Sequence, residues 1–181
     1  MFGQAKTPYP MKITRSAIAL LGLVGCNAAW AAIPEKDASP VQVTFVAPES
    51  YTDVRDEYMG TERGRDALLD ELKRHITTHA AKYLSAGQRL EITVTDVDLA
   101  GDFQPWLRDN FHDIRIVTDL YPPRVKLQFR LLNADGTVLN EGTRQLQELG
   151  FLTSMAWPLS DPLRYDKEML SDWLRQEFRH S

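Results

Sequence analysis

Val125, Leu127, Phe129 and Leu131 alternate with Arg124, Lys126, Gln128 and Arg130. A period of two commits this stretch to a strand with one buried and one wet face. Asn133-Ala134-Asp135-Gly136 follows. Asp-Gly between two such runs marks a hairpin, because both positions tolerate a positive φ. With Asp135-Gly136 as a two-residue loop, Arg130 faces Glu141, Gln128 faces Thr143 and Phe129 lies beside Gly142. Each polar pair across such a hairpin contributes about 0.2–1 kcal/mol.

The flanking sequence supplies the remaining elements. Val41 to Phe45 alternates as a half-buried strand, and Pro48 ends it. Residues 50–62 are dense in charge and turn formers. Arg63 to Leu84 reads as an amphipathic helix, with Leu69, Leu72, Ile76, Ala80 and Tyr83 on one face and Gly87 as its stop. Leu90, Ile92 and Val94 alternate next, and then Val97 and Leu99 fall on the opposite phase, which predicts a bulge. Gly101 to His112 reads as a loop carrying Trp106, and Ile114 with Ile116 as a short strand. Asp161-Pro162 opens a last helix whose stripe is Leu163, Leu170, Trp173, Leu174 and Phe178. The expected fold is α+β: an antiparallel sheet of four to five strands with two helices packed on one face. Leu72, Ile76, Leu127, Phe129, Leu131, Leu170 and Trp173 form its expected core, each worth about 1.5–3 kcal/mol when fully buried.

Residues 1–31 read as a signal peptide. Lys12 and Arg15 precede an apolar run, Ala17 to Gly25, that is too short to span a bilayer, and Ala29-Trp30-Ala31 offers a cleavage site. The pattern begins at Met11, which makes residues 1–10 a mis-assigned start. Cleavage after Ala31 is the preferred reading. In the alternative, Leu23-Val24-Gly25-Cys26 is a lipobox and Cys26 carries a lipid anchor. Residues 32–40 form a flexible lead-in, and 41–181 a single domain. Neither cut leaves enough cysteine for an internal disulfide.

The chain holds 21 basic and 25 acidic residues, a net charge of −4. Removing Lys6, Lys12 and Arg15 leaves 18 basic residues against 25 acidic ones, a net charge of −7. That balance, with no basic run, argues against nucleic acid and against electrostatic docking on anionic lipid. No span-length apolar run follows the leader.

Candidate chemistry is sparse. His75 and His79 stand four apart on the long helix, a spacing that lets two imidazoles share a metal, but the glutamate of a zinc-protease motif is missing after His75. Asp96, Asp98 and Asp102 resemble the opening of a calcium loop, with Ala100 and Leu107 where ligands belong. Asp53, Asp56 and Glu57 cluster in a charged loop. There is no Gly-x-Ser-x-Gly elbow and no phosphate-cradling glycine loop. No cofactor is expected. Tyr51, Trp106, Tyr121 and Trp157 sit beside prolines or turn residues and are candidates for a binding surface.

Phe45 to Asp53, the run Asp96-Val97-Asp98-Leu99-Ala100-Gly101, and Asp161 to Phe178 with Tyr165, Leu170 and Trp173 resemble the bacterial envelope family known as domain of unknown function 3016. The resemblance implies an exported, mostly Gram-negative protein with no assigned activity and no catalytic residues to transfer. The expectation is therefore a periplasmic accessory protein that binds another envelope component, a protein or a cell-wall fragment, without catalysis. The rival is a metal-dependent binder or hydrolase built on Asp96, Asp98, His112 and Asp113.

Overall fold

Strand β1 (Val41–Phe45) buries Val41 and Val43 and leaves Gln42 and Thr44 in solvent. The computed structural model describes residues 39–106 and 112–179. The expected signal peptide, most of the lead-in, and Cys26 lie outside the described residues. After β1, Asp56 accepts hydrogen bonds from the Thr61 backbone N–H and hydroxyl, both at 3.0 Å. Thr61 in turn caps helix α1 (Glu62–Ala80) by accepting from Gly64 N–H at 2.9 Å. A Cβ at Gly64 would overlap the Asp56 carboxylate, so a larger residue there would push Asp56 off Thr61.

Helix α1 turns Leu69, Leu72, Ile76 and Ala80 inward and returns the chain to strand β2 (Arg89–Asp98). This β1–α1–β2 crossover makes β1 and β2 parallel. The four-stranded sheet, in the order β1-β2-β5-β6, is therefore mixed, not purely antiparallel as expected. The α+β class stands. The short strands β3 (Asp102–Phe103) and β4 (Arg115–Ile116) pair only with each other, as a separate ribbon.

Strand β5 (Arg124–Leu132) runs antiparallel to β2 and to β6 (Val138–Gln147). The pairs Arg130–Glu141, Gln128–Thr143 and Phe129–Gly142 form as read from the sequence. The turn itself differs. Gly136 N–H donates to Asn133 O, and Asn133 N–H donates to Thr137 O, so the loop is three residues with Gly136 at φ +86°. A bulge then leaves Leu139 unpaired between Val138 and Asn140. The longer loop and the bulge offset each other, a common pairing in hairpins, so the register beyond them is unchanged.

Helix α2 (Arg164–Phe178) begins three residues later than Asp161. Asp161 instead accepts from Leu163 N–H at 2.8 Å and stabilises the turn before the helix. Both helices cover the same face of the sheet. There Phe129 meets Trp173 and Phe178 edge-on, at 5.9 and 5.4 Å, in a core that also holds Leu72, Ile76, Leu127, Leu131 and Leu170. The opposite face carries Glu91, Thr93, Gln128, Arg130, Glu141 and Thr143 and is open to solvent.

Candidate functional site

The phase slip in β2 is a bulge between Val94 and Asp96. Beyond it Val97 and Leu99 return to the core, while Asp96 and Asp98 take the open face. Across from them on β5 stand Lys126 and Arg124. Lys126 Nζ reaches Asp96 at 2.8 Å and Arg124 reaches Asp98 at 3.2 Å. Asp96 also accepts from the Thr52 backbone N–H at 2.9 Å and from its hydroxyl at 3.1 Å. Burial works to raise the Asp96 pKa, and the bonds from Lys126 and Thr52 outweigh it and bring it down. At Asp98 burial wins, and its carboxyl sits above the ordinary value.

The chain after β1 runs parallel to the end of β2, with Asp53 N–H donating to Val97 O and Leu99 N–H to Asp53 O. This places the Asp53 side chain, 8 % exposed, between two guanidinium groups. Arg115 donates to Oδ2 at 2.9 Å and to Oδ1 at 3.2 Å, and Arg55 Nε donates to Oδ1 at 2.8 Å. Arg115 also binds the carbonyls of Gly101 and Arg55, and Arg55 continues to Asp102 at 3.0 Å. Both guanidiniums lie over the Phe103 ring, Arg115 at 4.6 Å from its centre and Arg55 at 5.4 Å. Burial pushes the Asp53 carboxyl up, and the two arginines more than reverse this and hold it ionised.

One turn further on, Gly101 adopts φ +81°, and a Cβ there would lie 2.7 Å from the Ile116 carbonyl oxygen. Only glycine takes that conformation beside that backbone. The Ala100 N–H points at Asp166 of α2 and donates to its Oδ1 at 3.1 Å. Asp166 is 1 % exposed, and its Oδ2 has no hydrogen-bond partner among the described residues. Burial pushes its pKa up to about 7, against the pull of the Ala100 N–H. The Asp-Val-Asp-Leu-Ala-Gly run is thus a structural junction: Asp96 and Asp98 tie the sheet, Ala100 ties α2, and Gly101 ties Arg115.

The sequence candidates separate on this frame. Asp96, Asp98 and Asp102 belong to Lys126, Arg124 and Arg55 respectively, so the calcium-like spacing does not converge. Asp96 and Asp98 do share a groove of about 330 Å³ with Thr52, Arg124, Lys126, Gln145 and Gln147. His112 does not line that groove; it pairs with Asp113 at 3.0 Å, and Asp113 accepts from Tyr58 N–H. His75 and His79 stack at 4.0 Å between ring centres. His75 Nε2 bonds Ser171 Oγ at 2.8 Å, and His79 Nδ1 bonds the His75 carbonyl at 2.9 Å. Burial, then the neighbouring His79, brings the His75 pKa down to about 4. Among the described residues no three His, Cys, Asp or Glu side chains gather as a metal site.

The four aromatic candidates also divide. Tyr51 donates its hydroxyl to Val94 O at 2.8 Å and packs against Phe45, and burial pushes its pKa up to about 12. Tyr121 is half-buried, and its carbonyl accepts from Gly101 N–H. Trp106 and Trp157 stand in solvent, 71 % and 80 % exposed.

Asp53 stood out in the sequence only as one acid of a charged loop with Asp56 and Glu57; its clamp by Arg115, and Asp166, did not stand out. Asp166 carried a signal, since it falls on the α2 stripe between Leu163 and Leu170, where only a buried residue fits.

No curated protein and no solved structure matches the chain. The family model described as protein of unknown function (DUF3016) matches residues 39–176, from the residue before β1's lead-in turn to the last turn of α2, and the chain belongs to that family.

Proposed function

We propose that the chain is an exported accessory protein of the bacterial envelope that acts by binding, not by catalysis. One observation carries this reading. The acidic groups of the 96–102 run are committed to ion pairs within the fold, while large apolar side chains stand exposed along the charge-free segment 149–160. Carboxylates neutralised in this way are poorly placed for acid–base work. Exposed apolar residues that cluster mark interaction sites. The leader-like sequence at 11–31 supports delivery to the envelope.

Two measurements test the reading. Fractionation of cells expressing a tagged chain is expected to find a shortened product outside the cytosol, and an intact chain in the cytosol overturns export. The purified chain is expected to co-sediment with isolated envelopes, and the double variant Met155→Ser, Trp157→Ser to lose most of that binding. A wild-type chain that stays in the supernatant overturns the binding role.

A further inference from the structure

Five large apolar side chains stand in solvent along one short segment. Leu149 is 72 % exposed, Leu152 44 %, Met155 97 %, Trp157 80 % and Leu159 68 %. Residues 149–160 contain no charged side chain. The segment is nonetheless anchored. Phe151 and Ala156 are buried, and Phe151 packs edge-on against Tyr165 of α2 at 5.0 Å. A single helical turn spans Phe151–Thr153.

Several of its polar groups are turned onto the fold. Thr153 Oγ1 donates to Gly150 O at 2.7 Å, and Ser154 Oγ lies between Phe151 O and the Glu168 carboxylate. The backbone N–H groups of Thr153, Ser154 and Asp161 bond the carbonyls of Gly150, Phe151 and Pro158. The flanking acids are occupied as well: Glu148 accepts from Gly150 N–H, and Asp161 is held by Lys167 Nζ at 2.6 Å. What its large side chains offer outward is hydrocarbon, a thioether and an indole.

We propose that this segment inserts into the interfacial layer of a zwitterionic lipid surface. The proposal rests on the binding function above and names its partner. Three features favour lipid over protein. A protein interface carries about one hydrogen bond per 100–200 Å², whereas this segment has bound the hydroxyls of Thr153 and Ser154 and several of its N–H groups within the fold, which lowers the cost of leaving water. A stable protein pair buries about 800 Å² on each side, which five side chains on one segment reach only when each is covered completely. The chain is net acidic and the segment uncharged, so nothing in it seeks anionic headgroups, whereas Trp and Leu enter a neutral interface without help from Lys or Arg.

The test uses the full chain with phosphatidylcholine vesicles. The apolar run 17–25 is a separate route to a bilayer, so the reporter is placed in the segment: Cys26→Ser with Met155→Cys, carrying an environment-sensitive thiol dye. Vesicles are expected to shift the dye emission to the blue and to shield it from aqueous iodide. The same dye at Thr78→Cys, exposed on α1, is expected to stay in water. Trp157→Ser should lower the partition of the labelled segment on the order of tenfold, and high salt should leave it nearly unchanged. A dye at 155 that remains open to iodide while the chain sediments with vesicles overturns the proposal. So does a lipid-free shift that grows with protein concentration, which identifies a second copy as the occupant. If vesicles fail and isolated envelopes still bind, the envelope-binding role stands and the lipid partner falls.

Discussion

Asp53 and Asp166 are both withdrawn from water within one small junction, and their neighbours treat them in opposite ways. Asp53 has two guanidiniums and stays ionised, whereas Asp166 has one amide N–H and an orphan oxygen, and its pKa rises to about 7. The difference decides what substitution does. Removing one partner of a buried ion pair costs about 3–5 kcal/mol, because the other charge is left behind without compensation. Arg55 still holds Asp53 Oδ1 after Arg115→Met, so that variant is expected to destabilise the fold in urea titrations by less than that amount, about 1.5–3 kcal/mol, the worth of hydrogen bonds to a charged group. Adding Asp53→Asn should recover a substantial part of the loss; a double variant no more stable than Arg115→Met would show that the clamp is not what Arg115 contributes. Asp53 was legible only as one acid of a charged loop and Arg115 only as a position in a short strand; their pairing was not legible, because they lie 62 residues apart. Asp166 was legible in principle, since helical spacing placed it on a buried stripe and its charge made it an exception there. Trp157 stands beside Pro158, but its exposure depends on Phe151 and Ala156 holding the segment from below, which no period in the sequence encodes.

At the scale of elements, alternation carried most of the information. In β2 the run is in register with itself once Thr95 is set aside: Val94 inward, Asp96 outward, Val97 inward, Asp98 outward. Thr95 is thus the extra residue of the bulge. Its deletion is expected to keep cooperative unfolding and the circular dichroism of the parent, with a loss of about 1–2 kcal/mol from altered twist; loss of cooperativity would mean the bulge is needed to seat Asp53 beside Val97. The hairpin register was legible for the same reason, and the error in loop length was absorbed by the bulge at Leu139. Strand direction in β1 was legible only through the helix that separates it from β2, because a period of two looks alike in parallel and antiparallel pairs. β6 forms a free edge of the sheet. Arg144 turns from that edge toward α2, binds Glu177 twice at 2.8 Å and covers the Phe129 ring at 5.1 Å. Inward charge on an edge strand discourages pairing with another chain. Replacing both Arg144 and Glu177 with Leu is expected to change stability by no more than about 1 kcal/mol, yet to raise light scattering during refolding.

Across the whole molecule, two groups in the α1–α2 layer set opposing dependences on pH. The Asp166 carboxyl rises from its ordinary 3.8 to about 7, so the folded state holds that proton more tightly than the unfolded chain does. Its contribution favours folding in acid and is lost as pH climbs through about 7. The His75 imidazole falls from 6.5 to about 4, so the folded state prefers it neutral. Its contribution is present above 6.5 and is lost as pH falls toward 4. A tenfold change in proton affinity is about 1.4 kcal/mol, which makes the Asp166 ramp about 4 kcal/mol and the His75 ramp about 3 kcal/mol, and the two cross the same window with opposite sign. Asp98, also raised, adds to the first ramp. Asp53, Asp96, Glu71 and Glu177 are all lowered, and what they contribute is lost only in stronger acid. The native chain is therefore expected to show a shallow stability profile between about pH 4 and 6.5, measured as the urea midpoint. Asp166→Asn keeps an acceptor for Ala100 N–H and removes the first ramp, so its stability should climb with pH across that window. His75→Gln removes the second, so its stability should decline with pH over the same range. Parallel profiles for the native chain and Asp166→Asn would mean that the buried carboxyl finds a proton-independent partner in solution, and the opposition between the two groups would then not exist.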